Sequence, residues 1–406
     1  MKITRIELRN FRNYDYLILE PHPGINLFFG PNGSGKTNLL EAIHYCALGK
    51  SHRISRDENA VLTGEKVASC GIRVQGRLAR ADLQVRLQPG EAVKKIVYVD
   101  QVRVKRFSEM MGKLRCVIFS PEDLSMVRGG PSLRRRFLDM MISQVNPGYF
   151  IALQQYRVAM EQRNAILRDT KLRGGTPSGM ILDFESAMAE NAAVILPERQ
   201  RQVHALSENC RNIYRRVSGQ ENEDFLISYH SGLRHPDDAV EEMKSQLLAS
   251  REDDLRSGLS SVGPHRDDLY LTLNRKDVKL YASQGQIRTA ALSMKLAQLQ
   301  VLKTFGGESP VLLLDDVMSE LDQHRRTHLL EEIEDTQTFI TFTDETDLEN
   351  PNVHRSYFVF SENGLAQMTL RNPGILPSSV PLSEPDFFLS ENADESFPAE
   401  RESDIT

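Results

Sequence analysis

The loop Gly30-Pro31-Asn32-Gly33-Ser34-Gly35-Lys36-Thr37 constrains the fold of this chain more than any other feature. The apolar stretch 24–29 leads into the loop, and apolar residues at helical spacing follow it until Gly49. A strand, a loop of the form GxxxxGK[ST] and a helix together make a phosphate-binding turn. We therefore expect an α/β fold that binds a nucleotide at this turn.

The residues of this loop predict ATP and Mg²⁺ as ligands. Its glycines allow successive amides to point at the β- and γ-phosphates, and the following helix adds its dipole. Lys36 is expected to place a positive charge on those phosphates as a catalytic residue, and the Thr37 hydroxyl is expected to ligate Mg²⁺. The alternative is a chance glycine-rich turn, which the flanking strand and helix argue against.

Two acids, Asp315 and Asp316, end the apolar stretch 311–314. We expect Asp315 to hold Mg²⁺ and Asp316 to polarise the attacking water as a catalytic residue. An acidic junction between a strand and a loop is the alternative. Because Asp is one methylene shorter than the Glu of many related ATPases, we predict slow hydrolysis, with kcat below about 1 s⁻¹.

The turn Ser283-Gln284-Gly285-Gln286, followed by an amphipathic helical pattern, predicts a second anion site at a helix N-terminus. The chain already has one complete phosphate cradle, so we expect the second to complete the ATP site of another copy. The loop Ser319-Glu320-Leu321-Asp322 is expected at the same interface, with Asp322 near the nucleotide. Ser319 as an ordinary helix cap is compatible with that position.

The predicted nucleotide domain is split in the sequence. Strand-like stretches fill 66–119 and return after 256, whereas 131–216 carries two long helical patterns separated by the glycine-rich linker 172–179. Pro197 is expected to kink the second helix or divide it. We predict a head from residues 1–130 and 257–371, an inserted helical domain from 131–256, and an acidic, disordered tail from 372–406.

Charge is distributed unevenly along the chain. The net charge is −6, but residues 383–406 alone contain eight acids and one base, whereas 129–218 has thirteen Lys and Arg against eight Asp and Glu. Basic residues of this helical sector are expected to contact DNA phosphates without reading sequence. A solvated helix face is the alternative for any one of them. The candidates are Arg134, Arg135, Arg136, Arg163, Arg168, Lys171 and Arg173.

Other features argue for a cytoplasmic protein. The N-terminus alternates like a strand rather than a signal peptide, and no apolar run approaches the roughly 18 residues of a membrane span. Cys46, Cys70, Cys116 and Cys210 are widely spaced, so we expect reduced structural thiols.

Taken together, these motifs resemble the SMC-like ABC ATPases of chromosome maintenance, and within them the RecF family. The stretches that carry the resemblance run in order from residue 8 to residue 322, and they include 8–14, 30–38, 120–124, 134–139, 162–164, 263–268, 283–289 and 314–322. The resemblance implies an ABC-type P-loop ATPase head of mixed sheets and helices with an inserted, mostly helical arm domain. Ile287 stands where a polar residue such as Gln is expected, and the acidic tail exceeds the family pattern.

What the resemblance implies about function is specific. Proteins of this kind are weak, DNA-stimulated ATPases that dimerise with ATP, bind double-stranded or gapped DNA and its junctions, and help RecR and RecO load RecA. By the same resemblance, Arg12 and Asn13 lie near the nucleotide, and Ser283 and Gly285 reach the γ-phosphate of the partner subunit. An SMC-like structural tether and a transporter-type ATPase subunit are the alternatives.

Two features remain open at this point. His265 and Arg266 follow a Gly-Pro turn, which fits either a role near nucleotide or DNA, or a hydrogen-bonded crossover between domains. The tail places Phe387-Phe388-Leu389 among acids, which fits a solubilising tail, a competitor of DNA or a peptide that docks on a partner.

Overall fold

The computed structural model describes residues 1–53, 56–77, 79–90, 94–333, 335–342, 355–361 and 364–371. The expected tail, 372–406, lies outside these residues. The strands are β1 Lys2–Phe11, β2 Tyr14–Leu19, β3 Ile25–Phe29, β4 Ala68–Gln75, β5 Arg80–Gln88, β6 Lys94–Val99, β7 Val102–Arg103, β8 Cys116–Phe119, β9 Phe225–His230, β10 Asp268–Leu273, β11 Lys276–Asp277, β12 Val311–Asp315, β13 Thr338–Phe342, β14 Arg355–Ser361 and β15 Gly364–Arg371.

Helices fill most of the intervening chain. They are α1 Lys36–Leu48, α2 Leu124–Arg128, α3 Pro131–Ser143, α4 Pro147–Arg173, α5 Ile181–Ser218, α6 Ala239–Ala249, α7 Arg251–Ser257, α8 Val278–Tyr281, α9 Gln284–Gly306 and α10 Gln323–Glu332. The long helical patterns and the strand-rich stretch seen in the sequence correspond to these elements. In the described ranges, no helix combines the length and the apolar character that crossing a membrane requires.

A six-stranded sheet with the order β15-β14-β3-β13-β12-β8, here called the central sheet, positions the glycine loop. Its strands β3, β8, β12, β13 and β14 run parallel, and Leu314 pairs with Phe119 while Phe342 pairs with Phe29. Because parallel strands end at one edge, the residues after β3, β8 and β12 meet there. The sheet therefore joins the two separated halves of the predicted head.

Helix α1 lies between the central sheet and a second, antiparallel sheet of order β2-β1-β4-β5-β6-β7. Leu39 and Ile43 of α1 share one buried core with Ile72 of the second sheet and Leu313 of the central sheet. Burial on both sides fixes the helix, and with it the direction in which its N-terminus points.

The helical insert is not a separate body. Ile195 and Leu206 of α5 belong to the same buried core as Leu292 and Leu299 of α9, which lies in the C-terminal half of the head. A small sheet of order β11-β10-β9 also crosses the predicted boundary at 256, because β9 pairs with β10. Shared packing of this kind couples the arms to the head.

The expected division of the second arm at Pro197 is wrong. Helix α5 runs unbroken over 38 residues with Pro197 inside it. Ile195 and Leu196, just before the proline, are fully buried. Packing against the core therefore compensates for the hydrogen bond that proline removes from the helix.

Candidate functional site: a nucleotide cradle and a second helix N-terminus

The shape of the glycine loop depends on positions that only glycine can occupy. Gly33 and Gly35 have φ values of 84° and 105°, a region that side chains rarely allow. A Cβ at Gly35 would lie 2.7 Å from Asn13 Nδ2 and 2.8 Å from the Tyr14 hydroxyl. The turn between β1 and β2 thus presses on the loop, and the Tyr14 hydroxyl donates a hydrogen bond to the Gly35 carbonyl at 2.9 Å.

Lys36 folds back across the loop that precedes it. Its Nζ donates to the carbonyls of Gly30 at 2.6 Å and Pro31 at 2.8 Å. Burial lowers the pKa of Lys36, and the nearby carboxylates of Asp316 and Asp315 offset part of that decrease. The ammonium group is therefore held by carbonyls that phosphate oxygens can replace, at the mouth of a helix N-terminus.

Three oxygen-bearing side chains from three elements meet beside Lys36. The hydroxyls of Thr37, on α1, and Thr341, on β13, donate to Asp315 Oδ1 at 2.8 and 2.9 Å. Burial raises the pKa of Asp315, while these two hydrogen bonds partly oppose the rise. A hydroxyl and a carboxylate are hard oxygen donors of the kind Mg²⁺ prefers, so Thr37 and Asp315 fit a magnesium ion.

Asp316 continues the same edge in an unusual backbone conformation. Its φ of 53° is left-handed, which is uncommon for a residue with a side chain. The Thr341 hydroxyl accepts from the Asp316 amide at 2.9 Å, and the Ser319 hydroxyl donates to the Asp316 carbonyl at 2.8 Å. These bonds fix the backbone of Asp316 directly after Asp315.

Arg12 and Asn13 occupy different positions around the loop. The side-chain Oδ1 of Asn13 accepts from Nδ2 of Asn38, on the first turn of α1, at 2.8 Å. The Arg12 guanidinium instead binds the buried Glu41 carboxylate at 2.8 and 3.1 Å. Asn13 is thus the closer of the two to the phosphate-binding turn, and Arg12 anchors the β1–β2 turn to the side of α1.

Sequence patterns did not reveal Tyr14, Glu41 or Thr341. Glu41 follows Thr37 by one helical turn, so its position on the same face of α1 could have been inferred from spacing. Tyr14 and Thr341 reach the site only through the packing of β2 and β13, which the sequence does not display.

The turn at Ser283 forms the N-terminus of α9, a helix of 23 residues. The Ser283 hydroxyl accepts from the Gln286 amide at 3.2 Å, and the Gln286 side chain accepts from the Ser283 amide at 2.8 Å. Gln284 Oε1 accepts from Arg128, and Gln286 Nε2 donates to Glu223. Ser283 and Gln284 are exposed, and the partners of this turn belong to elements other than the glycine loop.

Asp322, not Ser319, caps the helix that follows the acid pair. Its carboxylate accepts from the Arg325 amide at 3.0 Å and forms an ion pair with the Arg325 guanidinium at 2.5 Å. Arg325 also donates to the Thr289 hydroxyl at 3.1 Å, one turn into α9. The Asp322 loop and the Ser283 turn therefore lie next to each other through Arg325.

The basic residues expected to contact DNA divide into two groups. Arg163 is fully buried and binds Glu185 at 3.0 Å and Asp254 at 2.7 Å, so it holds α4 to α5 and α7 and offers no surface to phosphate. Arg134 is buried in a bidentate pair with Asp268, with both contacts at 2.8 Å. We therefore assign these two arginines structural roles instead of the expected DNA contacts. Paired charges inside the protein are not available to a ligand.

The remaining members of that set lie at or near the surface. Arg135 donates to the Asp267 carbonyl at 2.7 Å. Arg173 forms an exposed i,i+4 pair with Asp169, and Lys171 lies 3.5 Å from the Ser257 carbonyl. Arg136 and Arg168 are also exposed.

His265 and Arg266 are bound into a crossover. His265 Nε2 donates to the Ser260 carbonyl at 3.0 Å, so the neutral ring accepts from the Tyr156 hydroxyl at Nδ1, 2.7 Å away. Burial lowers the pKa of His265 to about 4. Arg266 also donates to the Ser260 carbonyl, at 2.8 Å. The structural interpretation of this motif is the one the contacts favour.

The four cysteines are free and buried, as expected for reduced thiols. Within the described part of the chain, no group of three or more His, Cys, Asp or Glu side chains is arranged to hold a metal. The oxygen donors beside the glycine loop fit a metal that phosphates also coordinate, because such sites need few protein ligands.

A family model described as the RecF/RecN/SMC N terminal domain matches residues 2–366. A protein of Lactobacillus delbrueckii subsp. bulgaricus, "DNA replication and repair protein RecF", is 40% identical over 351 residues, which cover 85% of this chain and 91% of the relative. Its counterpart in Acetivibrio thermocellus is 37% identical over 370 residues, which cover 90% of this chain and 99% of the relative.

Solved structures agree with these sequence matches. The recombination mediator protein RecF with ATP, in the RecFOR pathway, superposes with a TM-score of 0.82 at 33% identity, covering 90% of this chain and 97% of that one. An SMC head bound to the winged-helix domain of ScpA gives a TM-score of 0.55 at 15% identity, covering 92% and 99%. The expected α/β fold with an ABC-type head is confirmed.

Proposed function

The chain belongs to the RecF family, and on that premise we propose that it is an ATP-gated DNA-binding protein of recombinational gap repair. Two copies close around two ATP molecules and bind double-stranded or gapped DNA, including junctions of single and double strands. Weak, DNA-stimulated hydrolysis then releases the DNA. One observation carries this proposal: a complete phosphate cradle and an exposed second helix N-terminus occur in one chain, with separate sets of partners.

In the proposed ATP site, the glycine-loop amides and Lys36 bind and orient the β- and γ-phosphates. Thr37 and Asp315 hold Mg²⁺, which when bound neutralises charge on those phosphates. Asp316 orients the attacking water from the same sheet edge. Its left-handed backbone is fixed by hydrogen bonds to the Thr341 and Ser319 hydroxyls, which keep the residue at that edge.

The other side of each ATP site comes from the second copy. The Ser283 hydroxyl and the amides of Gly285 and Gln286 stand at the exposed start of α9, where a negative charge is stabilised by the helix dipole. The neighbouring Asp322 loop, joined through Arg325, senses the same nucleotide. ATP therefore acts as the bridge that makes the dimer.

Partners follow from the family. We propose that the ATP-bound dimer meets RecR, and through it RecO, and helps load the RecA recombinase at gaps. The relative solved with ATP is described as a recombination mediator in the RecFOR pathway, which supports this assignment. Surface cations of the inserted helices, including Arg136, Arg168, Lys171 and Arg173, are the proposed DNA contacts.

An SMC-like structural tether fits the dimensions of the helical arms less well. Helices α4 and α5 have 27 and 38 residues. At about 1.5 Å per residue they reach roughly 40 and 57 Å, too short for a tether that links distant DNA segments. They also share a core with α9, which argues against arms that extend freely from the head.

Mixing two inactive variants tests the shared site directly. Lys36→Met removes the glycine-loop cation, and Ser283→Arg blocks the α9 turn. If each site uses Lys36 of one chain and Ser283 of the other, a mixed dimer contains one intact site. ATP-dependent sedimentation as a dimer, absent for each variant alone, should then reappear in the mixture. A mixture that stays monomeric, beside a wild-type protein that dimerises with ATP, contradicts the shared site.

A further inference from the structure

Unpaired positive charges gather at the far end of α1, away from the nucleotide. Lys50 follows Gly49, the residue at which this helix ends. The Phe107 ring packs so closely on Gly49 that a Cβ there would lie 2.1 Å from a ring atom. Phe150 of α4 lies against Phe107, with 6.1 Å between ring centroids. Lys50 is therefore seated where α1, the Phe107 turn and α4 meet.

Helical spacing brings two arginines to the same place. Arg157 follows Phe150 by two turns on the same face of α4. Met140 of α3 and Phe107 both pack against the buried core that contains Phe150, and Arg136 precedes Met140 by one turn on the same face. Three elements thus direct cations toward one cleft.

The electrostatics of Lys50 agree with this geometry. Burial, and then the charges of Arg157, Arg136 and Lys95, lower the pKa of Lys50 to about 8, and Asp57 opposes the decrease. Lys95 is itself held in place, since its Nζ lies 2.7 Å from the Gly49 carbonyl and 2.7 Å from Asp57. We call Lys50, Lys95, Arg136 and Arg157 the basic cleft.

Three cations of the basic cleft, Lys50, Arg136 and Arg157, differ from the structural arginines of the insert. Arg134 and Arg163 are buried, and each is matched by a carboxylate: Arg134 by Asp268, and Arg163 by Glu185 and Asp254. Among the residues that the structure describes, none forms a hydrogen bond or salt bridge with the side chain of Lys50, Arg136 or Arg157. Like charges held together in this way raise the free energy of the unliganded protein, and a polyanion relieves that cost.

We infer that the basic cleft binds the phosphate backbone of duplex DNA. The inference rests on the proposed function for the choice of DNA as the polyanion. Evenly spaced phosphates suit three unpaired cations from separate elements, and no base is read. The cleft is distinct from the nucleotide site, because the 13 residues of α1 separate Lys50 from the glycine loop by about 20 Å. One rigid helix therefore has ATP at its N-terminus and DNA near its C-terminus.

The test compares two triple variants of the full chain with equal charge changes. The cleft variant is Lys50→Gln, Arg136→Gln and Arg157→Gln. The control, on surface cations outside α3 and α4, is Lys244→Gln, Arg256→Gln and Lys276→Gln. Fluorescence anisotropy measures duplex binding with ATP over a salt series. We expect the cleft variant to bind at least about tenfold more weakly, with a salt slope shallower by roughly two to three, and the control to change less than about twofold.

Two outcomes separate this inference from the proposed function. A control variant that loses DNA while the cleft variant retains it overturns the basic cleft but leaves a DNA-binding protein. If the wild-type protein with ATP binds no duplex, the proposed function itself is wrong. Unchanged ATP binding and thermal melting of the cleft variant establish that it is folded.

A single substitution gives a second measurement. Since the pKa of Lys50 is about 8, the wild-type cleft loses charge between pH 7 and pH 9. DNA affinity should fall across that range by about threefold or more, and in Lys50→Arg it should stay level because arginine remains charged. Identical pH profiles for the two proteins contradict the placement of Lys50 on the DNA.

Discussion

The glycine loop and the Ser283 turn are both helix N-termini directed at phosphate, yet they are built in opposite ways. The loop begins α1 at Gly35 without a side-chain cap on the first amides of the helix, and its neighbours Ser34 and Lys36 are buried. The Ser283 turn is exposed and closed by a reciprocal capping box with Gln286. The first site is preorganised by its own chain, whereas the second satisfies its own amides until another copy brings a phosphate.

The largest effect on ATP binding is expected from a substitution in the glycine loop, the preorganised site. Lys36→Met removes a cation that the loop carbonyls hold in a partly buried site. Hydrogen bonds to charged groups contribute about 1.5–3 kcal/mol, so ATP affinity of the single chain should fall by up to about 100-fold. Isothermal titration calorimetry with ATP and Mg²⁺, at protein concentrations where the chain is monomeric, measures this.

Ser283→Arg is the matched control for that measurement. Because the turn at Ser283 makes its bonds to Gln286 rather than to the glycine loop, the variant should bind ATP as tightly as wild type in the monomer. A loss comparable to that of Lys36→Met would place both motifs in a single site of one chain.

How much of these sites could be predicted from the sequence depends on how far apart the interacting residues lie along the chain. The glycine loop, its strand and its helix are contiguous, so spacing alone predicted them. The sequence did not show which arginines of the insert are buried in ion pairs. Arg163 and Arg168 lie five residues apart on α4, but Arg163 is buried against Asp254, 91 positions away, while Arg168 is exposed. Charge patterning reports composition, and only packing decides which charges are paired.

The same reasoning explains the side chains that were missed or misplaced around the site. Thr341 reaches Asp315 because β13 lies beside β12, with Thr341 opposite Asp315 in the register. Pairing of distant strands is not encoded in local periodicity. The division expected at Pro197 is wrong for the related reason that the local effect of proline on a helix is outweighed by the burial of the residues around it.

A smaller effect, on the free energy of unfolding, is expected from Asp315, the buried acid beside the glycine loop. Burial raises the pKa of Asp315 in the folded chain, so its favourable contribution to stability is present below the unfolded pKa and is lost as the pH rises through the folded pKa. Asp315→Asn avoids ionisation altogether. Without nucleotide, the variant should therefore gain stability over wild type as the pH rises towards neutrality, by about 1–2 kcal/mol.

Urea unfolding of both proteins between pH 4 and pH 7 measures that difference. Mg²⁺ with ATP should reverse it, because the ionised carboxylate then has a cation to bind. A difference between the two proteins that does not depend on pH would mean that Asp315 is not the titrating group.

The smallest effect tests whether Ser283 does more than cap a helix. Ser283→Ala removes the acceptor of the Gln286 amide, and Asn146→Ala removes the acceptor of the Tyr149 amide at the start of α4. Each loss should lower the free energy of unfolding by about 1 kcal/mol, the usual value of an N-cap, as measured by urea unfolding. Only Ser283→Ala should also weaken the ATP-dependent dimer in sedimentation, since only this cap is expected to face a phosphate of another chain. If both variants dimerise like wild type, the Ser283 hydroxyl serves the helix alone, and the α9 contribution to the shared site is reduced to its backbone amides.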